Sequence, residues 1–140
     1  MIKWKKSTEI KAINKNLKNN MVSHVGIKIT DINDNHLKGT ISCNKKTKQP
    51  FGILHGGASV TLAETLGSLA GNLVLNDNYI AVGLNISANY VKAVRSGIVT
   101  GVAMPIHIGK STQIWTIDLY QKNVITCVTR LTLANLKKDA

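Results

Sequence analysis

The spacing of apolar positions changes along the chain, and each change marks an element. Ile10, Ile13 and Leu17 fall three and then four residues apart, which predicts a short helix with one apolar face, capped by Ser7 or Thr8 and ended by Asn19-Asn20. From residue 26 the period becomes two. Ile27 and Ile29 alternate with Lys28 and Thr30, residues 31–35 read as a turn, and Leu37, Gly39 and Ile41 alternate again across 36–43. The two runs make a hairpin. A loop over 44–52 leads into a long apolar run at 58–75, the length of a helix. After Asn76-Asp77-Asn78 the pattern is wholly β, in runs at 79–90, 97–108, 111–121 and 124–136. Arg95-Ser96-Gly97 and two-residue turns at Gly109-Lys110 and Lys122-Asn123 separate the later runs. The order predicts an α+β layer fold, one antiparallel sheet wrapped around one central helix, as a single domain over residues 1–140. Gly67 and Gly71, four apart on that helix, would let strands approach its backbone closely.

The long run is apolar nearly all round, so it belongs at the centre of a fold or in a membrane. Ser59, Thr61, Glu64, Thr65, Ser68 and Asn72 argue against a membrane. Glu64 is the only ionisable side chain between Ala58 and Leu75. A carboxylate in apolar surroundings is costly unless paired or functional, and desolvation there would raise its pKa and poise it as a base or nucleophile. Ser68 lies one turn further on the same face, within reach of Glu64 or a substrate. His55-Gly56-Gly57 stands where the helix begins, so the free N–H groups of its first turn form a donor site for an oxyanion or a polarised carbonyl. Gln49 adds a neutral donor and acceptor just before it. His55 to Glu64 is nine residues of helix, about 13 Å of rise. Donors and carboxylate on one chain are therefore too far apart to act on one carbonyl: either they are unrelated features, or the partner comes from a second copy across a two-fold axis and the chemistry requires a dimer.

Composition alters this picture little. The net charge of +11 invites a polyanion partner, but Lys, Asn and Ile, which share A/T-rich codons, make up 46 of the 140 residues. The charge reads mainly as solvated surface, and the lysines at 3, 5 and 6 as a solvated tail. Only the stretch Tyr79 to Tyr90 offers aromatic platforms, too sparse for a single-strand binder, so no nucleic acid is expected. Cys43 and Cys127 sit in alternating apolar runs without ligand spacing and read as small buried hydrophobes in a reducing compartment. Polar sequence follows the basic start, with no apolar signal core, which points to the cytoplasm. Trp115 and Phe51 read as core or interface residues.

The segment Gln49-Pro50-Phe51-Gly52, then His55-Gly56-Gly57-Ala58-Ser59, then Ala63-Glu64-Thr65 and Gly67-Ser68 resembles the hotdog-fold acyl-CoA thioesterases. It is most similar to the branch that holds the 1,4-dihydroxy-2-naphthoyl-CoA, enterobactin-proofreading and phenylacetate-pathway thioesterases. Val82-Gly83-Leu84-Asn85, Val94-Arg95-Ser96-Gly97, Pro105-Ile106-His107 and Gln113-Ile114-Trp115 extend the similarity over nearly the whole chain from Leu17. The resemblance implies a hydrolase of aromatic or other acyl-CoA, with coenzyme A as part of the substrate and no cofactor or metal. It implies a homodimer, paired further into a tetramer. Glu64 matches the catalytic carboxylate, Gly56 the backbone N–H donor, Gln49 and His55 the residues that orient thioester and water, and Ser68 the hydroxyl beside the carboxylate. Arg95, His107, Gly109 and Lys110 match the region of the nucleotide, with Lys92, Lys137 and Lys138 as further phosphate partners. Leu69 matches the acyl pocket. Tyr90 departs from the pattern: the naphthoyl branch usually carries His there, so acyl preference is open. Menaquinone biosynthesis, aryl-acid proofreading and general acyl-CoA turnover all fit. The alternatives are a non-catalytic acyl-CoA-binding module, a dehydratase of the same fold, whose His and acid spacing differs, and a nucleic-acid binder.

Overall fold

In the computed structural model, which describes residues 1–139, the period-two runs form strands and the period-3.6 runs form helices. In chain order these are α1 (Ile10–Asn16), α2 (Met21–His24), β1 (Lys28–Ile32), β2 (Leu37–Cys43), α3 (Gly56–Leu73), β3 (Tyr79–Tyr90), β4 (Gly97–Ile108), β5 (Thr112–Gln121) and β6 (Val124–Lys137). The strands make one antiparallel sheet in the order β1-β2-β4-β5-β6-β3, with α3 across its inner face. This is the wrapped-helix arrangement expected. Leu62, Leu66 and Ala70 of α3 are fully buried against Ile41, Val99, Trp115, Ile117, Leu131 and Leu133 of the sheet.

The helix glycines work as anticipated. A Cβ on Gly67 would stand 2.5 Å from Leu131 Cδ2, and one on Gly71 would collide with Leu133. Missing side chains on α3 therefore let sheet side chains reach the helix backbone. The Lys122-Asn123 turn has both residues at positive φ, 48° and 64°, the signature of a type I′ hairpin. The preceding hairpin differs by one residue: Gly109 N–H donates to Thr112 O, so its central pair is Lys110-Ser111.

Three expectations need correction. The first helix starts after Glu9 without a side-chain cap, Ser7 Oγ accepting only from Glu9 N–H at 3.3 Å. Asn19-Asn20 ends α1 but also starts the short α2, with Asn20 Oδ1 accepting from Val22 N–H at 3.0 Å. The stretch carrying Lys3, Lys5 and Lys6 is not a free tail. Ile2 is buried, Trp4 stacks on the core residue Trp115 with ring centroids 6.5 Å apart, and Lys5 and Lys6 N–H both donate to Leu73 O at 2.9 and 3.2 Å. Those donors satisfy a carbonyl that the end of α3 would otherwise leave unpaired. The lysine charges stay at the surface while their backbone closes the helix C-terminus.

Candidate active site

The start of α3 is built from a tight loop. Gly52 N–H donates to Gln49 O at 2.9 Å, Pro50 sits second in the turn, and Gly52 has φ +82°. The Gln49 side chain folds over this turn, its Oε1 accepting from Phe51 N–H, which leaves its NH₂ free of protein partners among the described residues. Thr47, buried at the loop base, accepts His55 N–H at 2.8 Å through its carbonyl and donates its hydroxyl to Ser42 O at 2.6 Å. The chain thus enters the helix in a fixed direction.

His55 is the N-cap. Its Nδ1 accepts from Gly57 N–H at 2.7 Å, so the neutral ring carries its proton on Nε2, which faces outward. Gly57 has to be glycine for this, because a Cβ there would stand 2.9 Å from His55 Nδ1. With Gly57 N–H consumed by the cap, Gly56 N–H is left without an acceptor among the described residues. It opens onto a cavity of about 380 Å³ lined by Gln49, Gly56, Ser59, Tyr90, Lys92 and Thr126, among others. A larger hollow of about 530 Å³ lies far from these donors, between Met1, Ile2 and Met104. Chemistry rather than volume selects the site.

Glu64 is where the sequence reading is overturned. It is exposed, not buried, because α3 buries its other face against the sheet and no described residue covers the helix at Glu64. The desolvation expected of it is absent in the single chain. Its carboxylate lies over β3: Oε1 is 3.0 Å from where a Cβ on Gly83 would stand. No side-chain hydrogen bond joins Ser68 to Glu64, which share only the backbone ladder of α3; the Ser68 carbonyl also accepts from Asn72 Nδ2 at 2.9 Å. Glu64 sits eight residues into α3 from Gly56, about 12 Å along the axis, so the two do not meet within one copy.

The sequence pattern of the thioesterase superfamily matches residues 51–128. The chain belongs to that superfamily. It is 43% identical over 134 residues to the 1,4-dihydroxy-2-naphthoyl-CoA hydrolase of Escherichia coli K12, spanning 95% of this chain and 98% of that one. It is 44% identical over 134 residues to the proofreading thioesterase EntH of Cronobacter sakazakii, again covering 95% and 98%. The crystal structure of thioesterase HI1161 from Haemophilus influenzae superposes with a TM-score of 0.95 at 45% identity, covering 98% of this chain and 96% of that chain. The hotdog fold and the thioesterase class expected from the residues are both borne out.

Within this thioesterase the remaining candidates fall into two groups. Tyr90 and Lys92 line the cavity at the start of α3, and Arg95 is exposed beside it, following Val94, whose carbonyl accepts Leu54 N–H at 2.7 Å. His107, Gly109 and Lys110 stand at the opposite end of α3. Asn135 Nδ2 donates to Gly109 O at 2.9 Å and to Lys110 O at 3.2 Å, and Gln113, bonded to Asn135 Oδ1 at 2.7 Å, also donates to Gly71 O at 3.1 Å. The structure therefore does not gather the nucleotide candidates on one copy. Leu69 is half-buried beside Ser68 and packs on the core. Lys137 and Lys138 follow the same end of the sheet, Lys138 N–H donating to Asn78 O at 2.9 Å. Phe51 is 87% exposed at the turn tip, while Trp115 is core. Sequence reasoning missed Thr47 and Gly83. A Thr before the Q-P-F-G turn and a Gly breaking the apolar alternation of β3 were the available signals.

Proposed function

We propose that the chain hydrolyses the thioester of an acyl-CoA, that an aromatic acyl group of the 1,4-dihydroxy-2-naphthoyl class is its substrate, and that the working unit is a cytoplasmic homodimer, paired further into a tetramer. The placement of both half-sites along one edge strand carries this reading. Gly83, beneath Glu64, and Tyr90, against Gly56, are seven residues apart on β3, whose outer edge has no partner strand among the described residues. Antiparallel pairing of β3 with β3 of a second copy, about an axis between Ile86 and Ser87, carries Gly83 of one copy to Tyr90 of the other. Each Glu64 then faces the helix N-terminus of its neighbour, and pairing also closes a 12-residue open edge.

In this arrangement the thioester carbonyl accepts from Gly56 N–H, aided by the positive end of α3. Glu64 of the second copy takes a proton from water as the water oxygen bonds the carbonyl carbon, and the carbonyl π pair moves onto oxygen. Collapse of that oxyanion breaks the carbon–sulfur bond and releases coenzyme A as thiolate, leaving the free acid. Gln49 NH₂ and His55 Nε2–H orient thioester and water, Lys92 and Arg95 offer charge to the phosphates, and the reaction draws on these residues and water alone. The test is thiol release from 1,4-dihydroxy-2-naphthoyl-CoA, benzoyl-CoA and fatty acyl-CoAs by wild type and Glu64→Ala. Turnover of an aryl-CoA, lost by about 10²–10⁴-fold in the variant, is expected for a general base. Acyl-CoA binding without thiol release from any of the panel refutes the enzyme reading, and equal activity in Glu64→Ala refutes the mechanism.

A further inference from the structure

Tyr90 sits against Gly56 at the start of α3, in the wall of the cavity. Register on β3 explains why. Tyr90 pairs with Cys127 and Ile86 with Leu131, both partners being buried, so Tyr90 faces the helix side of the sheet. The irregularity between Gly83 and Asn85 shifts the alternation, placing Gly83 and Tyr90, seven residues apart, on the same inner face. The ring then lies on Gly56. A Cβ added to Gly56 would stand 2.8 Å from Tyr90 Cζ and 3.0 Å from its hydroxyl oxygen. The phenol oxygen thus lies against the first residue of α3, whose N–H has no acceptor among the described residues. Tyr90 Oη has no hydrogen-bond partner among the described residues, and the side chain, 58% exposed, lines the same cavity as Gln49 and Gly56.

We infer that Tyr90 is a catalytic residue of the thioesterase reaction, its hydroxyl donating to the substrate carbonyl oxygen beside Gly56 N–H. The inference rests on the hydrolase reading above and adds a second oxyanion donor to it. A phenol hydroxyl is a single O–H donor, suited to one carbonyl oxygen. A side chain at position 56 would displace the ring that carries the donor.

The experiment compares wild type, Tyr90→Phe, Tyr90→Ala and Tyr90→His on an aryl-CoA and on acetyl-CoA. Tyr90→Phe keeps the ring and its packing and removes only the hydroxyl. It should lower kcat by about 100-fold, the lower end of the loss on removing an oxyanion donor, with KM within about threefold and the melting temperature unchanged. The loss should be similar for both acyl groups, and Tyr90→His, which restores an N–H, should recover part of it. With a non-hydrolysable ketone analogue, in which a methylene separates carbonyl and sulfur, the carbonyl infrared band should lie at lower frequency in wild type than in Tyr90→Phe. If Tyr90→Phe turns over like wild type and only Tyr90→Ala alters acyl preference, the residue is a pocket wall and the inference falls. If wild type itself releases no thiol, the hydrolase reading fails first; equal carbonyl bands in wild type and Tyr90→Phe would then overturn the hydrogen bond independently.

Discussion

At the scale of single residues, the structure distinguishes groups that face water from groups that the fold holds back. Asp118 on β5 has its carboxyl pushed above the usual range by partial burial. The folded state then holds a proton that the unfolded state has released, so stability falls as pH rises from the unfolded carboxylate value through the folded one. Asp118→Asn should abolish that slope and raise the melting temperature at neutral pH by about 1–3 °C, measured by calorimetry from pH 4 to 8; a slope unchanged in the variant would show another group responsible. Burial, and secondarily the nearby Asp118, also push the Cys127 thiol up. The thiol should accordingly resist labelling in the folded protein. His55 illustrates a residue whose position was legible while its bonding was not. The H-G-G run located it, but only the coordinates show Nδ1 taking Gly57 N–H and so assign the outward proton to Nε2.

At the scale of elements, α3 meets the sheet so closely that glycine is required where alanine would suit a helix better. An exposed helical Gly→Ala change stabilises by about 1 kcal/mol. At Gly71 the added methyl meets Leu133 and stands 3.2 Å from Gln113 Oε1, itself tied to Trp115 Nε1–H at 2.8 Å. Overpacking of this kind costs about 1–3 kcal/mol and outweighs the propensity gain. Gly71→Ala should therefore lower the melting temperature by about 3–5 °C; a rise would show that the core yields. The N-terminal strap is a second case. Trp4 spans the gap to Trp115 and donates Nε1–H to Asn33 O at 3.0 Å. Trp4→Ala should cost about 2–3 kcal/mol, somewhat less than a fully buried Trp, read from a urea melt at constant m-value. Lysine spacing gave no hint of this, because a few apolar residues between charges do not reveal what surface they find.

At the scale of the whole molecule, the exposed Glu64 and the open edge of β3 would both be answered by one operation, the two-fold axis proposed above. Co-expressing Glu64→Ala with Gln49→Ala tests it. A site shared between copies predicts that mixed dimers regain one intact centre, so that an equal mixture recovers about a quarter of wild-type activity. A site confined to one copy predicts no recovery above either variant alone. The same symmetry would bring the far-end group of His107, Gly109 and Lys110 of one copy nearer the cavity of the other, although on a single copy α3 separates them. No helix of the described residues is long and apolar enough to cross a membrane, which agrees with the sequence reading of α3 as a core helix.

Sequence alone determined the order of the six strands and of the helices α1 and α3, though not the short α2, together with the hairpin at Lys122-Asn123, the glycine face of α3 and the residues that surround the helix start, because each depends on local periodicity, turn conformation or motif spacing. It could not determine what covers the second face of α3. An apolar run looks the same whether sheet, solvent or another subunit lies against it, so Glu64 read as buried and is exposed in the single chain. The Tyr90 ring lying on Gly56 and the strap closing the C-terminus of α3 were decided by tertiary structure. Each joins residues distant in sequence, through a register shift on β3 or a backbone path that no local pattern encodes.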